Sequence, residues 1–201
     1  YAWNLVPVRM LLPVVALVSF MATPYQALMP IFAAEVFGGG ADMLGFLMGA
    51  AGLGGLVGIG LLASRRELRG MLRWITAACF CAGAALTVFS YSSELALSVP
   101  MLMLAGTGIV VAVNGISTVT MTIVEERMRG RVMSFYTMAF LGMYPVGGLV
   151  AGALASWMGA MHALAIGGVC CMLCALWLWT RLPGLRLHLR PIYVRLGVIT
   201  Q

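Results

Sequence analysis

Of 201 residues, 62% are hydrophobic and only 9% charged, too few polar side chains to coat a water-soluble globule, in which roughly a quarter of residues carry charge. At ~20 apolar residues per crossing, the length suffices for about six membrane helices and excludes an appended soluble catalytic domain. The formal charge of +6 would suggest nucleic acid in a soluble chain, but here position decides against it. All the basic residues are Arg, and they fall only at alternate breaks of the hydrophobic pattern: Arg9; Arg65, Arg66, Arg69 and Arg73; Arg127, Arg129 and Arg131; then Arg181, Arg186, Arg190 and Arg195. The intervening breaks carry Glu35 with Asp42, then Glu94, then His162. By the positive-inside rule both ends and the Arg-bearing loops are cytoplasmic, so the number of spans is even. Continuous apolar runs such as 44–63 and 163–179 exclude a β-barrel, whose strands alternate apolar and polar residues.

In chain order, span one runs from about Met10 to Ala33 and contains Pro13, Pro24 and Pro30, so kinks are expected. A Gly38-Gly39-Gly40 turn leads to Asp42, placed as the N-cap or first-turn acid of span two, about Leu44 to Ala63. Span three covers about Trp74 to Tyr91, and Ser92, Ser93 and Glu94 make the outer turn. Pro100 suits the first turn of span four, about Val99 to Val124, and Glu125 to Arg131 return the chain to the cytoplasm. Span five is about Val132 to Trp157, a short turn holds Gly159 and His162, and span six is about Ala163 to Trp179. Residues 1–180 thus form a six-span domain and residues 181–201 a basic tail attracted to anionic lipid headgroups. The chain begins at Tyr1 without the signature of a secretory leader, and is expected to be a piece of a longer protein.

Gly54-Gly55-Leu56-Val57 of span two recurs as Gly147-Gly148-Leu149-Val150 of span five. These are corresponding members of two three-helix units that must cross in opposite senses, which predicts an all-α membrane fold with an inverted 3+3 repeat. Gly45 with Gly49, Gly54 with Gly58, and Gly148 with Gly152 are small-xxx-small pairs that let another helix approach closely.

No carboxylate, Lys or Arg lies in the middle of any span, so the segment holds no obvious proton relay. Two polar stripes remain. Ser19, Thr23 and Gln26 follow helical spacing on span one, as do Thr107, Asn114, Thr118 and Thr122 on span four. Gln26 and Asn114 are expected to need a partner helix, water or a ligand to satisfy their amides. The five cysteines, Cys79, Cys81, Cys170, Cys171 and Cys174, all lie within spans and read as small buried hydrophobes; no metal or cofactor is expected. An intramembrane protease reading of Gly115-Ile116-Ser117 with His162 fails on depth, because the two side chains belong to opposite membrane faces. The chain is not expected to be an enzyme.

Leu28-Met29-Pro30-Ile31-Phe32-Ala33, Glu35-Val36-Phe37-Gly38-Gly39-Gly40 and Leu44-Gly45-Phe46-Leu47 resemble the C-terminal half of major facilitator exporters of the enterobactin-exporter and macrolide-efflux type. Arg129-Gly130-Arg131-Val132-Met133-Ser134 leading to Pro145-Val146-Gly147-Gly148 and Gly152 is similar to that family's cytoplasmic approach to its eleventh helix. Gly60, Leu62, Ala63, Arg65 and Arg69 fit the superfamily's loop signature between the second and third helices of a half; Ser64 stands in place of its acid, and Glu67 and Leu68 in place of its Gly-Arg.

The resemblance implies that the six helices are the seventh to twelfth of a twelve-helix transporter of the bacterial inner membrane. Spans one and four would line a cavity, making Ser19, Thr23, Gln26, Thr107, Asn114 and Thr118 substrate-cavity candidates. Spans two and five would meet the N-terminal half through Gly45, Gly49, Gly54, Gly58, Gly148, Gly152 and Pro145. Gly60, Arg65, Arg69, Arg129 and Arg131 would serve a cytoplasmic gate. The implied activity is proton-driven efflux of siderophore-like or amphipathic drug-like molecules by alternating access. A free-standing six-span protein acting as a homodimer or structural partner, and an importer on the same fold, are the alternatives.

Overall fold

Hydrocarbon offers backbone N–H and C=O groups no partners, so a spanning chain must satisfy them within helices. The computed structural model describes residues 6–22, 25–64 and 70–195, and these form helices joined by turns. The elements are α1 (Val6–Met21), α2 (Tyr25–Ile31), a π-helical turn (Phe32–Val36), α3 (Ala41–Ala63), α4 (Met71–Ser90), α5 (Leu95–Ile123), α6 (Glu126–Met158) and α7 (Ala160–Arg195). Six stretches are long and apolar enough to cross a membrane: Val8–Val36, Ala41–Ala63, Met71–Ser90, Leu95–Ile123, Glu126–Met158 and Ala160–Gly184. Six spans is the number expected from the hydrophobic pattern.

The first span is discontinuous rather than merely kinked. The Ala22 N–H closes α1 on the Val18 carbonyl at 2.9 Å, Ala22 itself lies in a turn, and the next described helix, α2, starts at Tyr25. Pro30 then removes another donor, and the chain widens into a π turn in which the Phe37 N–H reaches the Phe32 carbonyl at 3.1 Å.

Every spanning helix starts earlier than the pattern suggests, α5 and α6 by enough to change what their first turns hold. α5 begins at Leu95, which puts Pro100 in its second turn; the Ser98 hydroxyl bonds the Ser92 hydroxyl at 2.9 Å and fixes the preceding turn. α6 begins at Glu126, so Arg127, Arg129 and Arg131 are helical rather than in a loop. Glu126 complements the positive end of that helix as a first-turn acid. Asp42 plays the same part in α3, while Gly40 occupies the N-cap position. α7 shows no break at residue 180 and runs on to Arg195.

α5 is sandwiched between α3 and α4; α4 also packs along α7, and α6 lies against α1 and α2. Phe32 of the π turn and Phe89 at the end of α4 are fully buried, with ring centroids 5.1 Å apart. The α3, α4 and α5 contacts rest on glycine. A Cβ on Gly54 would overlap the Met103 carbonyl, one on Gly106 the Ala51 carbonyl, and one on Gly58 would lie 2.9 Å from the Thr107 carbonyl. On the other side of α5, a Cβ on Gly108 would lie 2.5 Å from the Ala78 carbonyl. Gly54 and Gly58 therefore pack within this bundle, whereas a Cβ on Gly45, Gly49, Gly148 or Gly152 would meet nothing within 4 Å.

The described Arg are segregated to one side: Arg9, Arg73, Arg127, Arg129, Arg131 and Arg181 lie there together with the acids Glu125 and Glu126, whereas Glu35, Asp42, Glu94 and His162 lie on the other. The Gly106 contact yields a direct check. Gly106→Ala forces α3 and α5 apart and should destabilise the detergent-solubilised protein by about 1–3 kcal/mol, seen as a lowered thermal unfolding midpoint; an unchanged midpoint would mean that the backbones are not in contact there.

Candidate functional site

The polar side chains of the first span converge on α6. Ser19 is fully buried, and its hydroxyl donates to the Phe140 carbonyl. Two turns further along, beyond the helix break, the Tyr144 hydroxyl donates to Gln26 Oε1 at 3.1 Å. The next residue, Pro145, has no N–H, so the carbonyl four residues back, on Leu141, lacks its helical donor and the helix is open to adjustment there. Ser19 is thus a helix-to-helix tie rather than a cavity wall, a correction to its assignment from spacing. Gln26 is half-buried and satisfies the expectation that its amide needs a partner helix. Thr23 lies outside the described residues.

Tyr144 escapes a reading based on polarity, because an aromatic flanked by Met143 and Pro145 counts as membrane-interior bulk. Its position immediately before a mid-span proline, on a helix facing Gln26, is the signal that could have found it.

On α5, Asn114 and Thr118 are exposed and Thr122 is half-exposed, but their hydrogen bonds run backwards along the helix. Asn114 Nδ2 donates to the Val110 carbonyl at 2.9 Å, Thr118 to the Asn114 carbonyl at 2.8 Å and Thr122 to the Thr118 carbonyl at 2.8 Å. The expectation that Asn114 requires a partner beyond its own helix is corrected in part: one amide N–H is satisfied locally, an i to i−4 pattern open to Ser, Thr and Asn side chains. Thr107 leaves the stripe altogether. Its hydroxyl sits between the Gly54 carbonyl of α3 at 2.7 Å and the Met103 carbonyl of its own helix at 2.8 Å, inside the glycine contact.

α6 is the shared neighbour of both polar groups. The buried Tyr136 hydroxyl donates to the Val113 carbonyl at 2.7 Å, tying α6 to α5 one residue from Asn114, while Ser19 and Gln26 tie it to α1 and α2. Beside α6 lies an open concavity of ≈ 730 Å³ lined by Gly130, Ser134, Thr137, Met138, Leu141 and Gly142. The apparatus is neutral, with hydroxyls, amides and exposed Met and Leu side chains: a surface that can hydrogen-bond and pack an amphipathic solute but has no nucleophile poised against a base. Ser117 lies toward the Arg-bearing end of α5 and His162 in the first turn of α7 at the opposite end. Among the described residues no group of His, Cys, Asp or Glu is arranged to hold a metal. Cys79 points its thiol at the Cys171 carbonyl, 3.7 Å away, as a packed hydrophobe does.

At the Arg-bearing end, Arg129 Nε donates to the Met121 carbonyl at 3.1 Å, and its guanidinium lies 4.0 Å from Glu126. It therefore covers a terminal carbonyl of α5, a favourable use of a cation at a helix C-terminus. Arg131 is exposed, the Gly60 carbonyl accepts the Ser64 N–H at 2.9 Å, and Arg65 and Arg69 lie outside the described residues.

Solved structures share this architecture. A mutant of the peptide transporter POT, in complexes with alafosfalin and with sulfate, superposes with a TM-score of 0.67 at 17% identity, covering 86% of this chain and 37% of that one. The xylose transporter XylE from E. coli, in its inward-open conformation, gives 0.64 at 18% identity, covering 90% of this chain and 48% of that one. The chain therefore spans less than half the length of these transporters and has the fold of one six-helix half. No curated protein matches its sequence. Residues 3–189 match the transmembrane secretion effector family. With nearly the whole sequence inside that match and six spans arranged as in one transporter half, the chain belongs to the transmembrane secretion effector family of the major facilitator superfamily.

Proposed function

We propose that the chain is the C-terminal six-helix half of a bacterial inner-membrane exporter, working with an N-terminal half by alternating access. The observation that carries this reading is the uneven burial of the helices. Only 6% of the most apolar window of α6 and 28% of that of α3 are buried, against 50% for α4. The open faces of α3 and α6 carry Gly45, Gly49, Gly148, Gly152 and Pro145, a surface on which a second half can pack closely. Both termini are cytoplasmic in this reading. Residues 1–180 belong to the transmembrane half, and the Arg-rich residues 181–201 extend it toward anionic headgroups.

In this reading the cavity wall is Gln26 with Tyr144, Asn114 and Thr118, framed by the concavity along α6. Neutral polar groups set among Met and Leu suit bulky amphipathic cargo of the siderophore or macrolide kind. With no carboxylate, Lys or Arg in the middle of a described span, the proton-handling acid belongs to the other half, and the two halves rock about a midplane site. Export rather than import follows from the family resemblance and from the secretion named in the matched family's description.

Three measurements test the proposal. Intact mass of the native polypeptide, tagged at its C-terminal end, should be roughly 43 kDa, twice the 21.4 kDa of this chain; a product near 21.4 kDa would replace the single-chain transporter with a self-assembling half. Gln26→Ala, Asn114→Ala and Tyr144→Phe should each lower drug or siderophore efflux from cells by about tenfold, the value of one lost hydrogen bond to substrate, at unchanged protein level. Unchanged export in all three removes the cavity assignment. Tyr136→Phe, by contrast, should cost about 1 kcal/mol of stability and leave transport per folded molecule intact, because its hydroxyl is spent on the Val113 carbonyl.

A further inference from the structure

α4 and α7 meet at a pair of glycines: a Cβ on Gly83 would lie 2.5 Å from the Gly168 carbonyl, and one on Gly168 would lie 2.6 Å from the Gly83 carbonyl. Beyond this contact, toward the end that carries Glu35, Asp42, Glu94 and His162, a groove of ≈ 470 Å³ runs along α7, lined by Tyr91 just past the end of α4, Met158 at the end of α6, and His162, Ile166, Val169 and Cys170 of α7. The body of the groove is aliphatic, and its two polar residues sit at the helix ends, where the bundle meets water.

We propose that this groove is a binding site for one phospholipid whose headgroup carries a primary ammonium. The inference rests on the reading that α3 and α6 face a second half, which leaves α4 and α7 against the bilayer. Level with the groove mouth, Trp157 is 89% exposed and Tyr91 60% exposed, the aromatic pair that marks a membrane interface. An acyl chain lies along Ile166 and Val169, both exposed to the hydrocarbon.

The headgroup preference follows from the imidazole. His162 Nδ1 is 2.9 Å from the Met158 carbonyl, which can only accept, so the ring proton is on Nδ1. The ring is held edge-on to Tyr91, centroids 6.1 Å apart, and in the tautomer with its proton on Nδ1 it presents Nε2 as an acceptor. An ammonium with N–H groups satisfies that acceptor; a trimethylated choline has no N–H to give. Charge at this end agrees, since its described ionisable residues are the acids Glu35, Asp42 and Glu94 with His162, and no Arg is among them. A lipid bearing only negative charge would be repelled, while an ammonium is drawn in.

The test uses the full-length protein in liposomes at pH 8, with phosphatidylethanolamine and phosphatidylcholine probes bearing the same photoreactive diazirine on the acyl chain. The ethanolamine probe should label Ile166 and Val169 roughly fivefold more than the choline probe, the effect of one charge-assisted hydrogen bond at an interface. His162→Ala should bring the two probes level, His162→Gln, which keeps an acceptor, should retain the preference, and Val169→Trp should remove labelling by filling the groove. His162 is exposed, so its variants keep the proposal testable should the Trp variant not fold. Equal labelling by both probes in the unaltered protein overturns the proposal, as does labelling of the exposed Leu173 and Leu176 on α7 without labelling of the groove. If Leu173 and Leu176 are also unlabelled, this side is covered by protein, and the assignment of α4 and α7 to the bilayer fails together with the lipid site. Efflux reports separately on the transport reading.

Discussion

The structure depends on backbone meeting backbone along α5. In a bilayer no hydrophobic effect pushes helices together, since lipid tails are as apolar as Leu, and association falls to dispersion and to polar contacts. α5 presents Gly106 to α3 and Gly108 to α4, each against a facing carbonyl; Gly54 and Gly58 return the same contact from α3. Gly83 and Gly168 repeat the device between α4 and α7. Four helices are thereby stacked in the order α3, α5, α4, α7, with glycine at each crossing letting the backbones come together. Replacing any of these glycines adds atoms where no space exists, so the block is stiff by construction.

α1 shares the glycine device at one point, where a Cβ on Gly167 of α7 would lie 2.6 Å from the Met21 carbonyl, but α1, α2 and α6 are otherwise tied in by side-chain hydrogen bonds. Ser19 to Phe140, Tyr144 to Gln26 and Tyr136 to Val113 are hydrogen bonds, which can be exchanged for others at small net cost. The same helices hold the break after Met21, the π turn at Phe32–Val36 and the mid-helix Pro145. Interlocked backbones thus dominate α3, α5, α4 and α7, and exchangeable ties dominate the contacts of α6 with α1, α2 and α5, with Gly167 against Met21 as the point where the two kinds meet. A polar surface for a solute is built where the ties and the helix irregularities coincide, because there a side chain can release one partner for another without opening a packed crossing.

Six spans were legible in the sequence because hydrocarbon thickness imposes a length and a composition that no tertiary contact overrides. Helix starts were less legible: α6 begins at Glu126 because Arg129 reaches back to a carbonyl of α5, and α5 begins at Leu95 where Ser92 and Ser98 bond each other. Those are contacts between residues, invisible to a hydropathy window. The polar residues follow helical spacing, but spacing carries no information about where a hydroxyl sends its proton. Thr107 turned to Gly54 and Ser19 to Phe140, while Asn114, Thr118 and Thr122 turned to their own helix. Tyr144 was hidden by chemistry of its own, an aromatic ring with one polar atom at its tip.

The recurring Gly-Gly-Leu-Val segment carries the argument from this half to its environment. Gly54 and Gly55 are buried, as is Gly147, while Leu56 and Val57 are 65% and 50% exposed and Leu149 and Val150 are 76% and 38% exposed. Corresponding residues of α3 and α6 therefore face the same way relative to the block: glycine inward, branched apolar side chains outward. If lipid were the final neighbour of those outward faces, Gly45, Gly49, Gly148 and Gly152 would bring it neither packing surface nor hydrogen bonds, and would weaken the helices through the conformational entropy that glycine loses on ordering. Glycine is useful in a membrane helix where another helix comes close enough for a side chain to be in the way. Two helices that are placed alike, share this open glycine pattern and remain the least buried of the bundle support a common protein surface across α3 and α6, with Leu56 and Leu149 standing as its knobs.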